Sequence, residues 1–432
     1  MKIYLQKDVF EAFQVRIKHI VDNYDNIIVA FSGGKDSGLL RHLVVKYARE
    51  NGIAKKIALF HQDFEAQYSA TTDFVTHTMQ QDLDLIEPYW TCMPTMCKTA
   101  TSMYEQYWTP WDESLKEIWV RDMPTGDGVI NIHNHQFDFW HPAITQEDFY
   151  TAFTPWYHQH VCGGKGRTVC LVGIRADESL NRFRAIDHGR DTDAGWIVNK
   201  GDSCYSAYPL YDWRVEDVWG AHAKFGFAYN RIYDLFHHAG LTVHQMRVAS
   251  PFNDWAISSL HLYRAIEPDV WGAMVGRVNG ANFTAMYGGT KAVAWKHIQK
   301  PPHHTWKSYV DFLLKTLPEE TRQTYQEKFT TSIEFWRKTG GVLSDETIAD
   351  LRNLGFDVAL NGTSNYKSDK KRVLFKDYPD DAPVQDFASV PSYKRMAICI
   401  LKNDHLCKYM GFSMTKPEQE RRKAAMEKYK DL

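Results

Sequence analysis

The chain has little net charge. Lys plus Arg total 51 against 53 Asp plus Glu, a formal charge of −2 over 432 residues. No global pull toward nucleic acid or an anionic membrane follows from that balance. Cysteine is sparse too: seven in so long a chain, an odd number, are no disulfide framework. No apolar run approaches the length of a membrane span, and the opening Met1-Lys-Ile-Tyr-Leu-Gln-Lys-Asp8 has no apolar signal core, so the expectation is a cytoplasmic protein without a membrane partner. Internal repeats and low-complexity tracts are absent.

What is present suffices for two or three folded domains: 432 residues with 44% hydrophobic content. The aromatic share of 14%, including 14 Trp, crowds Tyr89 to Trp156. The most informative stretch is Asn26-Ile-Ile-Val-Ala-Phe-Ser-Gly-Gly-Lys-Asp-Ser37, a short apolar strand running into a two-glycine turn. Gly33 and Gly34 can take backbone angles closed to other residues, so successive amides can turn toward one anion. A helix predicted from Gly38 to Arg49 adds free amides and the positive end of its dipole. Ser32 and Ser37 add hydroxyls, and Lys35 adds charge. The Walker A spacing is missing, which excludes an ordinary P-loop reading, and so is the G-x-G-x-x-G dinucleotide pattern.

The surrounding pattern alternates. A helix is predicted over Val9 to Val21, strands at Ile27 to Phe31, Lys56 to Phe60 and Leu83 to Tyr89, and a helix from Ser69 to Gln81. Another apolar run, Thr168 to Gly173, ends in a polar cluster. This order predicts an α/β fold, a parallel doubly wound sheet with helices on both faces. Ligands in such sheets bind at the carboxyl ends of the strands, where Ser32 and Asp63 would lie. Residues from about 90 to 160 read as an aromatic-rich insertion able to fold over that end. One helix is expected from Arg214 to about Phe236, with Asp212 as its cap. Residues 1–249 form the nucleotide-binding domain in this reading, and 250–432 a mostly helical C-terminal domain. Within the latter, Asn361 to Asp386 reads as a surface loop. The tail Lys416 to Lys430 reads either as a solvated helix or as a basic contact to nucleic acid or a partner.

After the later strand comes Gly173-Ile-Arg-Ala-Asp-Glu-Ser-Leu-Asn-Arg-Phe-Arg184. Arg175, Arg182 and Arg184 suit phosphate or sulfate, because a guanidinium fork makes paired, charge-assisted bonds. Asp177 and Glu178 could hold those arginines or a magnesium ion. A surface ion-pair network is the alternative. Cys92 with Cys97, and Cys162 with Cys170, leave open a metal site or ordinary burial. The histidines at 133, 135 and 141 leave open a metal site or a lid surface.

Ser32 to Ser37 resembles the SGGKDS loop of the PP-loop ATP pyrophosphatase superfamily, whose fold is the adenine nucleotide alpha hydrolase-like one. The Gly173 element resembles the Gly-x-Arg-x-x-Glu-Ser-x-x-Arg element of the PAPS (phosphoadenosine phosphosulfate) reductase branch. Tyr208-Pro-Leu-Tyr-Asp-Trp-Arg-Val-Glu-Asp-Val-Trp219 is similar to a further run of that branch. Asp63-Phe-Glu-Ala-Gln-Tyr68, Lys116-Glu-Ile-Trp-Val-Arg121, Pro391-Ser-Tyr-Lys-Arg395 and Ile400-Leu-Lys-Asn-Asp404 resemble its IbrA/YbdN type. The resemblance implies binding of ATP or PAPS, with magnesium. It implies Ser32, Gly33, Gly34, Asp36 and Ser37 on the phosphates, with Phe60, His61 and Asp63 bordering the base. Gly173 and Ser179 line the same site, and Lys35, Asp36, Arg175, Glu178 and Arg182 carry the chemistry. It also suggests a ParB/sulfiredoxin-like protein partner.

The chain departs from that branch at one place. The Glu-Cys-Gly-Leu-His element bearing the reductase nucleophile is missing, and Cys399 and Cys407 sit in apolar helical patterns. No Cys-Cys or Cys-x-x-Cys occurs, so an iron–sulfur cluster is not expected. The reading is therefore adenylylation with pyrophosphate release, linked to sulfur metabolism. A true PAPS reductase and a nucleotide-binding regulatory or defence component are the alternatives.

Overall fold

The computed structural model describes residues 6–102, 105–187, 194–253, 256–282, 284, 300–360 and 370–412. They divide into two compact units interleaved in sequence. The first is 1–97, 109–251 and 262–277; the second is 98–108, 252–261 and 278–432. Among the described residues no helix is long and apolar enough to cross a membrane.

The first unit is an α/β fold on a seven-stranded sheet. Its strands are β1 (Asn26–Ala30), β2 (Ile57–Gln62), β3 (Ile86–Cys92), β4 (Val129–Asn131), β5 (Thr168–Val172), β6 (Ile197–Gly201) and β7 (Cys204–Ala207), in the order β4-β3-β2-β1-β5-β7-β6. Every neighbouring pair is parallel except the edge pair β6 and β7. From β1 the chain steps outward through β2, β3 and β4, then returns to β5 on the other side of β1. The strand order thus reverses between β1 and β5, the place where open α/β sheets bind ligands at the strands' carboxyl ends.

Alternation along the strands separates two core layers. Ile27, Val29, Leu59, Val169 and Leu171 pack with helices α1 (Val9–Asn23), α2 (Lys35–Glu50) and α3 (Ser69–Met79). Ile28, Phe60 and Cys170 face the aromatics of the insertion, where helix α4 (Gln146–Trp156) supplies Phe149, Phe153 and Trp156. The ring of Phe60 stacks on Phe153 with centroids 3.8 Å apart. The insertion therefore builds an edge strand and covers one sheet face.

Local chemistry explains other differences from the sequence reading. Helix α2 starts at Lys35, three residues before the expected Gly38. Gly34 takes an extended N-cap conformation, φ −86° and ψ 167°, so Lys35, Asp36 and Ser37 form the first turn. After α5 (Leu180–Asp187), the expected helix over 214–236 is two helices, α6 (Val215–Phe225) and α7 (Ile232–His238). Gly226 ends the first in a left-handed conformation, φ 65°. Asp212 does not cap it: its carboxylate receives both guanidinium nitrogens of Arg16, at 2.7 and 2.5 Å, while Asp217 accepts the Arg214 amide.

The second unit contains helices α9 (Trp306–Thr316), α10 (Glu319–Lys338), α11 (Asp345–Asn353) and α12 (Tyr393–Leu401), the label α8 being kept for Pro268–Arg277 of the first unit. It also holds an antiparallel sheet of β8 (Gly341–Leu343), β9 (Val358–Leu360) and β10 (Lys371–Phe375), with β10 central. The loop expected over 361–386 thus contains a strand, and Val373 and Phe375 are core residues. Residues 361–369 and the basic tail 416–430 lie outside the described residues.

Candidate functional site

The loop after β1 lies at the sheet's reversal point. Gly33 stands at φ +75°, a left-handed conformation that costs other residues about 1–2 kcal/mol. Asn230 fixes this bend, donating from Nδ2 to the Gly33 carbonyl at 2.8 Å and to the Thr71 hydroxyl at 2.9 Å. The two serines of the loop close on each other: the Ser32 amide donates to Ser37 Oγ at 3.1 Å, and the two hydroxyl oxygens are 3.0 Å apart. Tyr233 accepts the Lys35 amide at 3.0 Å, and its ring centroid lies 5.4 Å from the Lys35 ammonium. His222 Nε2 lies 3.2 Å from the Lys35 carbonyl.

Asp36 joins this loop to the strand beside it. Its carboxylate lies 3.0 Å from Lys35 Nζ and receives Arg175 Nε at 2.6 Å. Both cations are buried, with 6% and 4% of their side chains exposed. Burial pushes the Asp36 carboxyl up, but Lys35 and Arg175 outweigh it and the net direction is down. The end of β5 fits closely against the first turn of α2 because residue 173 is glycine. A Cβ at Gly173 would stand 3.0 Å from the Asp36 carbonyl oxygen and 3.1 Å from Ser37 Cα.

Of the remaining expected residues, Glu178 and Arg182 pair with each other at 3.0 Å, and Ser179 Oγ accepts the Arg182 amide at 3.3 Å. Burial, followed by the carboxylates of Asp36 and Glu178, pushes the Tyr233 phenol up. Asp177 and Arg184 are exposed. Phe60 is enclosed in the core under Phe153. His61 is buried, with Nδ1 2.7 Å from the Phe31 carbonyl, and burial pushes its ring below the ordinary value.

At the end of β2 the sequence pointed to Asp63; the structure adds Glu65. Arg121 holds both Asp63 oxygens at 2.6 Å, and the Trp90 indole donates to the same carboxylate at 2.8 Å. Burial pushes Asp63 up, but Arg121, His61, the Glu65 amide and the Trp90 indole together outweigh it, and the net direction is down. Glu65 is fully buried at φ 64°. It accepts from Arg277 at 2.9 and 3.2 Å and from the Trp111 and Val120 amides at 2.7 and 3.0 Å. The two carboxylates pin the first part of the insertion to the strand end. Glu65 sits inside a motif the sequence displayed. Arg277, 212 residues away, gave no local signal.

All seven cysteines are free thiols; Cys162 is partly buried and the other six are buried. Burial raises those of Cys92, Cys97, Cys162, Cys170, Cys204 and Cys399, Cys162 to about 11 and Cys97 and Cys170 to about 12. Among the described residues no group of three or more His, Cys, Asp or Glu is placed to hold a metal ion.

Comparison with known proteins adds the family. The chain is 32% identical over 429 residues, 98% of its length and 94% of the relative's, to the uncharacterized protein YbdN of Escherichia coli K12. It belongs to the YbdN family. Residues 240–421 of this YbdN-family chain match a domain of unknown function, DUF3440. Two solved structures are more distant likenesses. A PAPS reductase from Candida auris, in a phosphate complex, is 14% identical with a TM-score of 0.30, covering 55% of this chain and 95% of that one. The U34-tRNA thiolase NcsA from Methanococcus maripaludis, with its [4Fe-4S] cluster, is 10% identical with a TM-score of 0.28, covering 65% and 79%. Those scores are too low to inform the YbdN-family site, which stands on its own residues.

Proposed function

We propose that this YbdN-family protein binds ATP or a related adenine nucleotide at the reversal point of its sheet and catalyses adenylylation with release of pyrophosphate, linked to sulfur metabolism. The observation that supports this most is the ion cluster of Asp36 with Lys35 and Arg175, at 3.0 and 2.6 Å, beside the Gly33-Gly34 turn. One carboxylate against two buried cations leaves this cluster with a surplus positive charge, at the first turn of a helix whose N-cap, Gly34, has no side chain to cap it. An anion entering there is met by charge, amides and the Ser32 and Ser37 hydroxyls together. The same groups oppose the charge that develops when a nucleophile attacks the α-phosphate and pyrophosphate leaves. Gly173 keeps Arg175 close enough to serve both Asp36 and a phosphate. The Asp177 and Glu178 carboxylates would hold magnesium, which would lower the repulsion between nucleophile and phosphates.

The buried, raised thiols favour this reading over cysteine-based sulfur reduction, which needs an accessible thiolate. The test is pyrophosphate release from labelled ATP with magnesium and candidate acceptors such as sulfate or a thiol. Arg175→Ala and Gly33→Val should each abolish release and weaken ATP binding by calorimetry. Turnover retained in both variants, or no nucleotide affinity in the parent protein, would overturn the proposal.

A further inference from the structure

One aromatic ring of the insertion is held open at the carboxyl end of the sheet. Helix α4 starts at that end, because Gln62, the last residue of β2, donates from Nε2 to the Gln146 carbonyl at 3.4 Å. Tyr150 follows one turn later. Its ring centroid lies 5.8 Å from that of Phe60, and its hydroxyl donates to the Cys170 thiol. Phe60 is in register with Ala30 and Cys170 with Ile28, so Tyr150 lies across β1 and reaches from β2 to β5. Ser32 follows Ala30 by two residues, about 7 Å at the rise of an extended strand.

The exposure of Tyr150 is inverted. A tyrosine ordinarily encloses its ring and leaves the hydroxyl to water. Here the residue is 38% exposed, yet burial pushes its phenol well above the ordinary value and Cys170 accepts the hydroxyl hydrogen. Water therefore reaches the ring and not the hydroxyl. The anchor is itself held, since Thr154 also donates to the Cys170 thiol. Cys170, which the sequence left open as a metal ligand, is the acceptor that fixes Tyr150. The phenol also feels the guanidinium of Arg182, from the same element as Arg175. Phe60, which the family resemblance set against the base, is 2% exposed and has one face on Phe153, so it offers no surface for stacking.

We infer that the base of a bound adenine nucleotide stacks on the Tyr150 ring, so that the insertion, and not the end of β2, supplies its platform. The inference rests on the nucleotide reading proposed above: with the phosphates at the Gly33-Gly34 turn, the ribose spans the short distance to the ring. A ring already fixed by its hydroxyl loses little freedom when the base arrives. Stacking accepts any base, so the platform favours a nucleotide over bare pyrophosphate without choosing between adenine and guanine.

The test is calorimetry of the full chain with ATP and, separately, with pyrophosphate, both with magnesium. Tyr150→Ala should weaken ATP binding about tenfold, the scale of one stacked base, and leave pyrophosphate affinity unchanged. Tyr150→Phe keeps the ring without its anchor and should lose less. Photolabelling with an azido-adenine ATP should mark the α4 peptide. No ATP affinity in the parent overturns the nucleotide reading and this inference together. ATP affinity unchanged in Tyr150→Ala overturns this inference alone. An equal loss for pyrophosphate also overturns it, by giving the ring a structural role, as does a photolabel confined to other peptides.

Discussion

Replacing Asp36 with alanine removes the one carboxylate between Lys35 and Arg175. Those two side chains are only 6% and 4% exposed, so neither can turn to water without moving the loop. Leaving a buried charge without its partner costs about 3–5 kcal/mol; Asp36 itself is 15% exposed, which favours the lower figure, about 3 kcal/mol. In a unit of this size each 1 kcal/mol moves the melting temperature by about 2–4 °C, so the expected loss is about 6–12 °C. The same change leaves two cations at the loop with nothing to neutralise them. Pyrophosphate should therefore stabilise Asp36→Ala more than the parent, since in the parent the Asp36 carboxylate repels the incoming anion. A ligand at a hundredfold its dissociation constant returns about 2.7 kcal/mol, close to the whole deficit. The assay is thermal melting with and without pyrophosphate, with amide exchange over residues 26–38 assigning the transition to this unit. Adding Arg175→Ala to Asp36→Ala should cost less than the sum of the two single changes. A variant that melts within about 2 °C of the parent, or equal stabilisation of both by pyrophosphate, would refute the ion-cluster reasoning.

Two further outcomes follow from groups around the site. Glu65→Ala strips an acceptor from the Arg277 guanidinium and from the Trp111 and Val120 amides at once, so the urea midpoint should fall by the equivalent of about 3–5 kcal/mol. Glu65→Gln, which keeps an acceptor oxygen, should lose less, and a neutral Glu65→Ala would show that the network is not structural. His42 stacks on Phe227 with its Nε2 3.0 Å from the Ala228 carbonyl, and burial, followed by Arg41, pushes its ring down to about 4. A lowered folded value means that its contribution is complete above the ordinary 6.5 and is lost as pH falls toward about 4. His42→Gln keeps a donor for the carbonyl and should flatten the decline of stability across that window. An identical pH profile in parent and variant would contradict the assignment.

How much of this was legible in the sequence depended on whether the cause was local. The strand Asn26–Ala30 and the turn at Gly33 were readable because an apolar run ending in two glycines has few other uses, and the strand-helix alternation fixed a parallel sheet. The start of α2 was misplaced because residues 35–37 look like loop chemistry until Gly34 is seen to be the cap. Strand β10 was hidden within a charged, turn-rich stretch, where only Val373 and Phe375 mark a buried face. Ion partners were the hardest to see. Asp36 and Arg175 are 139 residues apart and meet only because β1 and β5 are neighbours, with Ala30 in register with Val172. That pairing was implied by the fold class. The pairing of Glu65 with Arg277 was implied by nothing in the chain.

The close fit at Gly173 makes the loop and the arginine one mechanical element. Its missing Cβ leaves 3.0 Å to the Asp36 carbonyl oxygen, and two residues later Arg175 reaches the Asp36 side chain. A nucleotide phosphate that draws Arg175 off Asp36 would then disturb the turn that binds it, unless the arginine keeps both partners. Its Nε is the atom bonded to Asp36, so the terminal nitrogens of the guanidinium are the ones left for a phosphate. Arg175→Lys tests this division of labour, because a single ammonium can hold Asp36 but presents no second face. The variant should keep the parent's melting temperature within about 2 °C and lose ATP affinity about tenfold, the scale of one charge-assisted bond of about 1.5 kcal/mol. Full affinity in Arg175→Lys would mean that the arginine serves the fold alone, and that phosphate recognition rests on the loop amides and Lys35.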